Sequence, residues 1–316
     1  MWRALPALLL LGAAPAPSPV ALDLILGETL PARLSDFGFF AGDRPNARVA
    51  RYALNTPLFS DYTDKDRFAF VPTGKAASYA PDGRVEFPVG SALIKTFRSG
   101  AMKIETRVLL HRANGWVALP YVWQGDVAVL KRAGMRVPVT VAGRAIDYAV
   151  PNVNQCKECH ASGGKLLPIG PKARNLQSGD TEHWRKIGVL SGFGRAVLLP
   201  RFDDAQAPIA TRARAYLDIN CGHCHSPAGS ASNSGLYLNW ETTDRTALGI
   251  GKTPVAAGRG SGGFAYAIEP GHPERSIMVH RMKSTEPGVA MPELGRATVH
   301  DEGVKLVSNW IAGMKK

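Results

Sequence analysis

The sequence predicts an α+β chain, with an antiparallel β-rich part over residues 30–205 followed by an all-α part over residues 206–316. Three observations lead there. Residues 92–150 hold successive short runs of β-branched and aromatic residues with turn dipeptides between them. Beyond residue 206 the apolar residues recur at helical spacing. The length of 316 residues accommodates two domains of ordinary size.

Each element has its own signal. Strands are expected at Ala92–Arg98, Met102–Arg112, Trp116–Gln124, Met135–Ala142 and Arg144–Val150. Ser99-Gly100, Asn114-Gly115 and Ala142-Gly143 supply turns, and the run stops at Pro151. A helix is expected over Ile209–Ile219, where Ala213, Tyr216 and Leu217, with Asn220 just beyond, share a face with no breaker inside. A last helix carries Val304, Val307, Trp310, Ile311 and Met314. Thr298 and Asp301 are read as its capping box, and Lys315 and Lys316 suit the negative end of its dipole.

Composition narrows the class. Hydrophobic residues make up 45% and charged residues 20%, as in globular chains. The 33 glycines and 23 prolines imply long loops. The formal net charge of +12 favours an acidic partner. No clustered Lys/Arg run or recognition-helix signature points to nucleic acid. Residues 1–21 read as a signal peptide, with Arg3 before the apolar stretch Ala4–Ala14, which places the chain in the periplasm. Prolines at 15, 17 and 19 disturb the expected cleavage sites, so a retained anchor stays open. No later segment has the length of a transmembrane helix.

The chemistry lies in the four cysteines. Cys156-Lys157-Glu158-Cys159-His160 and Cys221-Gly222-His223-Cys224-His225 are both CxxCH. Two thiols three positions apart on a helical turn reach the two vinyl groups of one porphyrin, and the adjoining histidine lies under the iron. The competing readings are one zinc held by both pairs, a thiol-redox pair, or two disulfides. None of them calls for a histidine directly after each pair. Two covalently bound haem c groups are therefore expected, attached at Cys156, Cys159, Cys221 and Cys224, with His160 and His225 as iron ligands.

Around the second motif, residues 206–316 resemble a class I cytochrome c, in which a helix entering CxxCH crosses an amphipathic C-terminal helix. That resemblance implies a downstream methionine as sixth ligand. Met291, in Met291-Pro292-Glu293-Leu294-Gly295 and 66 positions after His225, is the candidate, with Met282 in reserve and Met278 beside it. The bland reading of Met278 and Met282 is core packing on one helix face.

The first motif closes the β-rich part and lacks such a methionine. His111, His183, Met102 and Met135 are weak sixth-ligand candidates, and an open or water-bound position competes with them. The β part, with its Phe87–Phe97 segment, is similar over a short stretch to cytochrome c′-beta and the related hydroxylamine-oxidising cytochromes. Some of those cross-link a lysine to the haem, and the resemblance points to Lys95; on residue chemistry alone Lys95 snorkels to a sheet edge. Pro168–Pro171 and Pro227 are read as the turns carrying carbonyls that orient His160 and His225. Gly258–Gly263 reads as a flexible loop rather than a phosphate loop.

Over residues 34–316 the chain resembles a family of proteobacterial di-haem c-type cytochromes. The resemblance rests on LSDFGFF (34–40), LNTPLFSDY (54–62), IETRVLL (104–110), PNVNQCKECH (151–160), PIGPKARNL (168–176), RARAYLDINCGHCH (212–225) and MPELG. It implies electron transfer with a redox protein partner. The alternative is a haem enzyme, peroxidase-like or acting on a small nitrogen compound, whose open first haem is fed by the second. A haem-based sensor of gas or ligand is a third reading.

Overall fold

Period-two alternation of apolar residues builds the main sheet, because successive strand residues point to opposite faces. The computed structural model describes residues 19–192 and 197–315. Six strands, β1 Val49–Tyr52, β2 Asp64–Phe70, β3 Ala92–Ser99, β4 Met102–Arg112, β5 Gly115–Gln124 and β6 Val127–Leu130, form an antiparallel meander in chain order. A separate hairpin follows, β7 Met135–Val141 with β8 Arg144–Val150. The helices are α1 Leu22–Leu26, α2 Val153–His160, α3 Ser178–Lys186, α4 Ile209–Asn220, α5 Ile277–Lys283 and α6 Asp301–Ala312.

One face of the sheet is largely apolar, with Thr96, Thr106 and the Asp66–Arg98 ion pair at one end. Phe70, Ala92, Ile94, Val108, Leu110, Leu119 and Tyr121 pack under Ile25, Leu34, Phe37 and Phe39 from the N-terminal segment. Phe37 and Phe39 stack at 5.0 Å and Phe37 meets Tyr121 edge-on at 6.1 Å, pairs worth about 0.5–1.5 kcal/mol each beyond their burial. Val20 packs against this core and the Ala21 amide donates to the Phe37 carbonyl. The signal-peptide reading of residues 1–21 lies outside the described residues as far as residue 18.

The opposite face is divided. At one end Leu93, Ala69 and Ala50 pack on Trp184 of α3, Leu176 and Phe87. At the other end Phe97 and Val122 pack on the β7–β8 hairpin through Val139, Ile146 and Tyr148. Between them lies a band of charge. Lys95 sits there on β3, an inner strand, so its expected place at a sheet edge is corrected.

The expected all-α, class I cytochrome c-like domain over 206–316 is corrected by the structure. Helices α4, α5 and α6 have 12, 7 and 12 residues, and α4 is parted from α5 by a long stretch from Cys221 to Ser276 held by turns, short 3-10 turns and isolated bridges. Glycines explain the break: Gly249, Gly251, Gly258, Gly262 and Gly263 all have positive φ, which no helix accepts. The chain is instead β-rich with short helices, of which α4, α5 and α6 share one apolar core through Leu217, Val279 and Val307. The α6 cap also differs. His300 is the N-cap and has no side-chain cap bond, while the Thr298 hydroxyl donates to Asp61.

Two fixtures tie the C-terminal part to the sheet part. The strap 54–62 sends Asp61 Oδ1 to the amides of Ala297 (2.7 Å) and Thr298 (2.8 Å), and its Phe59 amide to Asn220 Oδ1 (2.8 Å). Asp218 of α4, fully buried, accepts from Arg174 at 3.0 Å, from Lys172 at 3.2 Å and from the Trp240 amide at 3.0 Å. Arg174 also reaches Glu241 at 2.7 Å. Among the described residues no helix is long and apolar enough to cross a membrane.

Burial works to raise the Asp218 carboxyl, but Lys172 and Arg174 outweigh it and hold it below the usual carboxylate range. Its contribution to stability is therefore complete above about pH 4, the unfolded value, and is lost as pH falls through the lower folded one. Arg174→Met should destabilise the chain by about 3–5 kcal/mol in urea unfolding at pH 7, because it leaves a buried carboxylate short of its partner. A change under 1 kcal/mol would contradict the clamp.

Candidate functional site

Helix α2 carries the whole first motif, and the sequence starts it sharply. Asn152 Oδ1 accepts from the amides of Asn154 (3.0 Å) and Gln155 (2.8 Å), while Gln155 Oε1 accepts from the Asn152 amide (2.9 Å), a capping box. Cys156 is buried, and Cys159 and His160 are partly buried. The His160 Nδ1–H donates to the Leu167 carbonyl at 2.9 Å, and the Leu167 amide returns to the His160 carbonyl at 2.8 Å. The orienting carbonyl therefore lies just before the Pro168–Pro171 turn, not on it. Burial, with Lys95 adding to it, pushes the His160 imidazole down to about 3. The ring is neutral at pH 7, with Nε2 available to a metal.

The second motif follows the last turn of α4. The Cys224 and His225 amides donate to the Cys221 carbonyl at 3.1 and 2.9 Å, coiling the motif into a turn. Gly222 suits the spot because a Cβ there would lie 2.7 Å from the Asp218 carbonyl and 2.9 Å from Asn239 Cα. His225 Nδ1 lies 3.3 Å from Ser234 Oγ, and the Leu236 backbone also bonds the ring. Pro227 does not serve here. Burial lowers His225 below the usual histidine value.

The two motifs lie side by side. Ser162 and Gly229 form an antiparallel bridge, and the Gly163 amide donates to the Ala228 carbonyl at 2.9 Å. Cys224 Sγ reaches the Glu158 carbonyl at 3.8 Å, and ligand atoms of Cys159, His223 and Cys224 all fall within 4.8 Å of one another. The Cys159 and Cys224 thiols share a hydrogen bond that lowers Cys224 and raises Cys159. Sequence reasoning passed over His223. Its Nδ1 is buried and without a partner among the described residues, and its one signal was a second histidine inside the motif.

A cavity of about 580 Å³ opens at this junction. Cys159, Cys221, Cys224 and His225 line it, with Met278, Met282 and Met291 contributing as well. The Met291 backbone is pinned: its amide donates to the Arg281 carbonyl at 3.0 Å and its carbonyl accepts from Arg296 at 2.9 Å. Arg296 lines the same cavity and its Nε is buried without a partner among the described residues. Imidazole, thioether and thiol donors around a largely apolar slot, with one guanidinium N–H left free to face it, fit a porphyrin bearing carboxylates.

The weak sixth-ligand candidates fall elsewhere. The His111 Nδ1–H donates to the Phe87 carbonyl (2.7 Å) and the ring stacks on Trp116 at 4.5 Å, so it is already committed. His183 is exposed on α3, and Met102 and Met135 are exposed at strand starts. Gly258–Ser261 forms a short 3-10 turn. Compared with protein-family models, curated proteins and solved structures, the chain has no match.

Mild oxidation of the haem-free chain should join Cys159 to Cys224, a product that peptide mapping would identify. A Cys156–Cys159 product instead would contradict the side-by-side arrangement.

Proposed function

We propose that the chain is a di-haem c-type cytochrome that passes electrons between redox partners on the periplasmic side of the membrane. The carrying observation is the cavity where the two CxxCH motifs meet, lined by both thiols of the second motif, one of the first, His225 and three methionines. Cys156, Cys159 and His160 would hold one haem, and Cys221, Cys224, His225 and Met291 the other. When bound, the group supplies one-electron exchange at iron.

The chain's own residues do the rest. Leu167 fixes the His160 ring and burial keeps it neutral, the form that ligates iron. Arg281 and Arg296 hold the Met291 loop against the cavity. The neutral Met291 thioether would favour reduced iron and raise its potential. The surplus of basic residues suits an acidic partner protein, found by electrostatic steering.

A second reading rests on one observation, the closeness of Cys159, His223 and Cys224, which offers three donors to a single ion such as zinc. The two readings part at His223. His223→Ala removes a zinc ligand but leaves both haem attachments whole, so the protein should keep its full visible absorption and iron content. Met291→Ala should abolish the near-infrared methionine–iron band of the oxidised protein. Survival of that band would overturn the ligand assignment. Electron paramagnetic resonance then separates carrier from enzyme: two low-spin signals would exclude the haem enzyme and the sensor, and a high-spin signal would keep both open.

A further inference from the structure

Strand register places an unusual row of charge on the divided face of the sheet. Arg67 of β2, Lys95 of β3 and Arg107 of β4 are directly opposite one another in turn, so all three point to one side. One step along, Lys65 faces Phe97, which faces Glu105. Phe97 is fully buried and carries three cations around its ring: Lys65 at 5.7 Å, Lys95 at 5.1 Å and Arg107 at 4.3 Å. Like charges directly opposite destabilise a sheet, and burying charge is costly unless it is paired. Four such cations on one face need an anion.

The protein supplies too little. Glu105 is fully buried, but it is engaged by Arg107 Nε at 3.0 Å and by the Tyr148 hydroxyl at 2.6 Å. Asp61, near Lys65, already accepts from Ala297 and Thr298. Asp66 lies on the other face, paired with Arg98 and Arg51. Lys65 spends its Nζ on the Thr63 carbonyl at 2.9 Å. Lys95 has neither a hydrogen bond nor an ion pair among the described residues. Burial, with Arg107 and Arg67 adding to it, pushes its ammonium down to about 7 against the opposing pull of Glu105.

The row adjoins the first motif. Helix α2 packs on β5. Lys95 and Arg107 both act electrostatically on Cys156, Cys159 and His160. We propose that Arg67, Lys95 and Arg107, with Lys65 at the margin, form a binding site for an oxygen-donor anion beside the first CxxCH motif. Two sources have that chemistry: a small free oxyanion entering as ligand or substrate, and the carboxylates of the group attached at the motif. The anion site follows from the sheet alone; its place beside an iron rests on the function proposed above.

Calorimetric titration of the purified full-length protein with nitrite and with phosphate tests it, because heat of binding does not depend on a haem. A free-anion site gives saturable binding of one probe at about one per chain, weakened at least tenfold in both Lys95→Met and Arg67→Met. If the carboxylates of the attached group fill the site, neither probe binds, and Lys95→Met shifts the reduction potential of the first haem and leaves that of the second unchanged. Either result upholds the site and tells the sources apart. Absence of both anion binding and a potential shift overturns it. Lys95→Met keeps or gains thermal stability, since it removes a charge without a partner, so misfolding does not cloud the result. Pyridine extraction on the same sample reports haem separately, and a protein without haem that still binds nitrite would sink only the functional reading.

Discussion

The Asp218 carboxylate is the constraint on which the arrangement of this molecule depends. It sits on α4 three residues before Cys221, fully buried, and is held by Lys172 and Arg174 from the segment that follows the first motif. A buried carboxylate tolerates little displacement, because each lost partner leaves charge in a low-dielectric setting. The clamp therefore fixes the second motif relative to the first. The Ser162–Gly229 bridge and the close approach of Cys159 to Cys224 are consequences. The strap from Asn55 to Tyr62 acts in the same sense from the opposite side, through Asn220 and Thr298.

Much of the sheet was legible because alternation is a local signal. Four strand ranges agree with the structure within a residue or so, and the fifth, Met135–Ala142, stops one residue early where Ala142 takes a positive φ. Asp64–Phe70 was missed for a physical reason. Its inward-facing positions on the divided face are Lys65 and Arg67, so the strand reads as polar on both sides. The all-α expectation failed because the helical periodicity of α4 and α6 does not extend across the glycine-rich stretch between them, where positive φ angles break the helix.

The site was half legible. Both CxxCH motifs announce themselves by spacing, and Met291 lines the cavity together with His225. What spacing cannot encode is juxtaposition. Residues 65 apart in sequence, such as Cys159 and Cys224, meet only through long-range packing, and His223 acquires meaning only from that meeting. Nothing local in the sequence marks Arg174 and Asp218 as a buried pair, because they meet only across the fold. Lys95 drew notice through a resemblance, yet its significance in the structure comes from Arg67 and Arg107 on the neighbouring strands.

The two motifs thus differ in setting. The second opens on an apolar cavity with three methionines, suited to a stable, high-potential electron store. The first lies against a cationic sheet face, suited to an anion. The most direct measurement of the central proposal is haem content by pyridine extraction, paired with mass mapping of the cysteine peptides. The account predicts two haems per chain, one on the Cys156–Cys159 peptide and one on the Cys221–Cys224 peptide. One haem, or free thiols in either peptide of the mature protein, would contradict it.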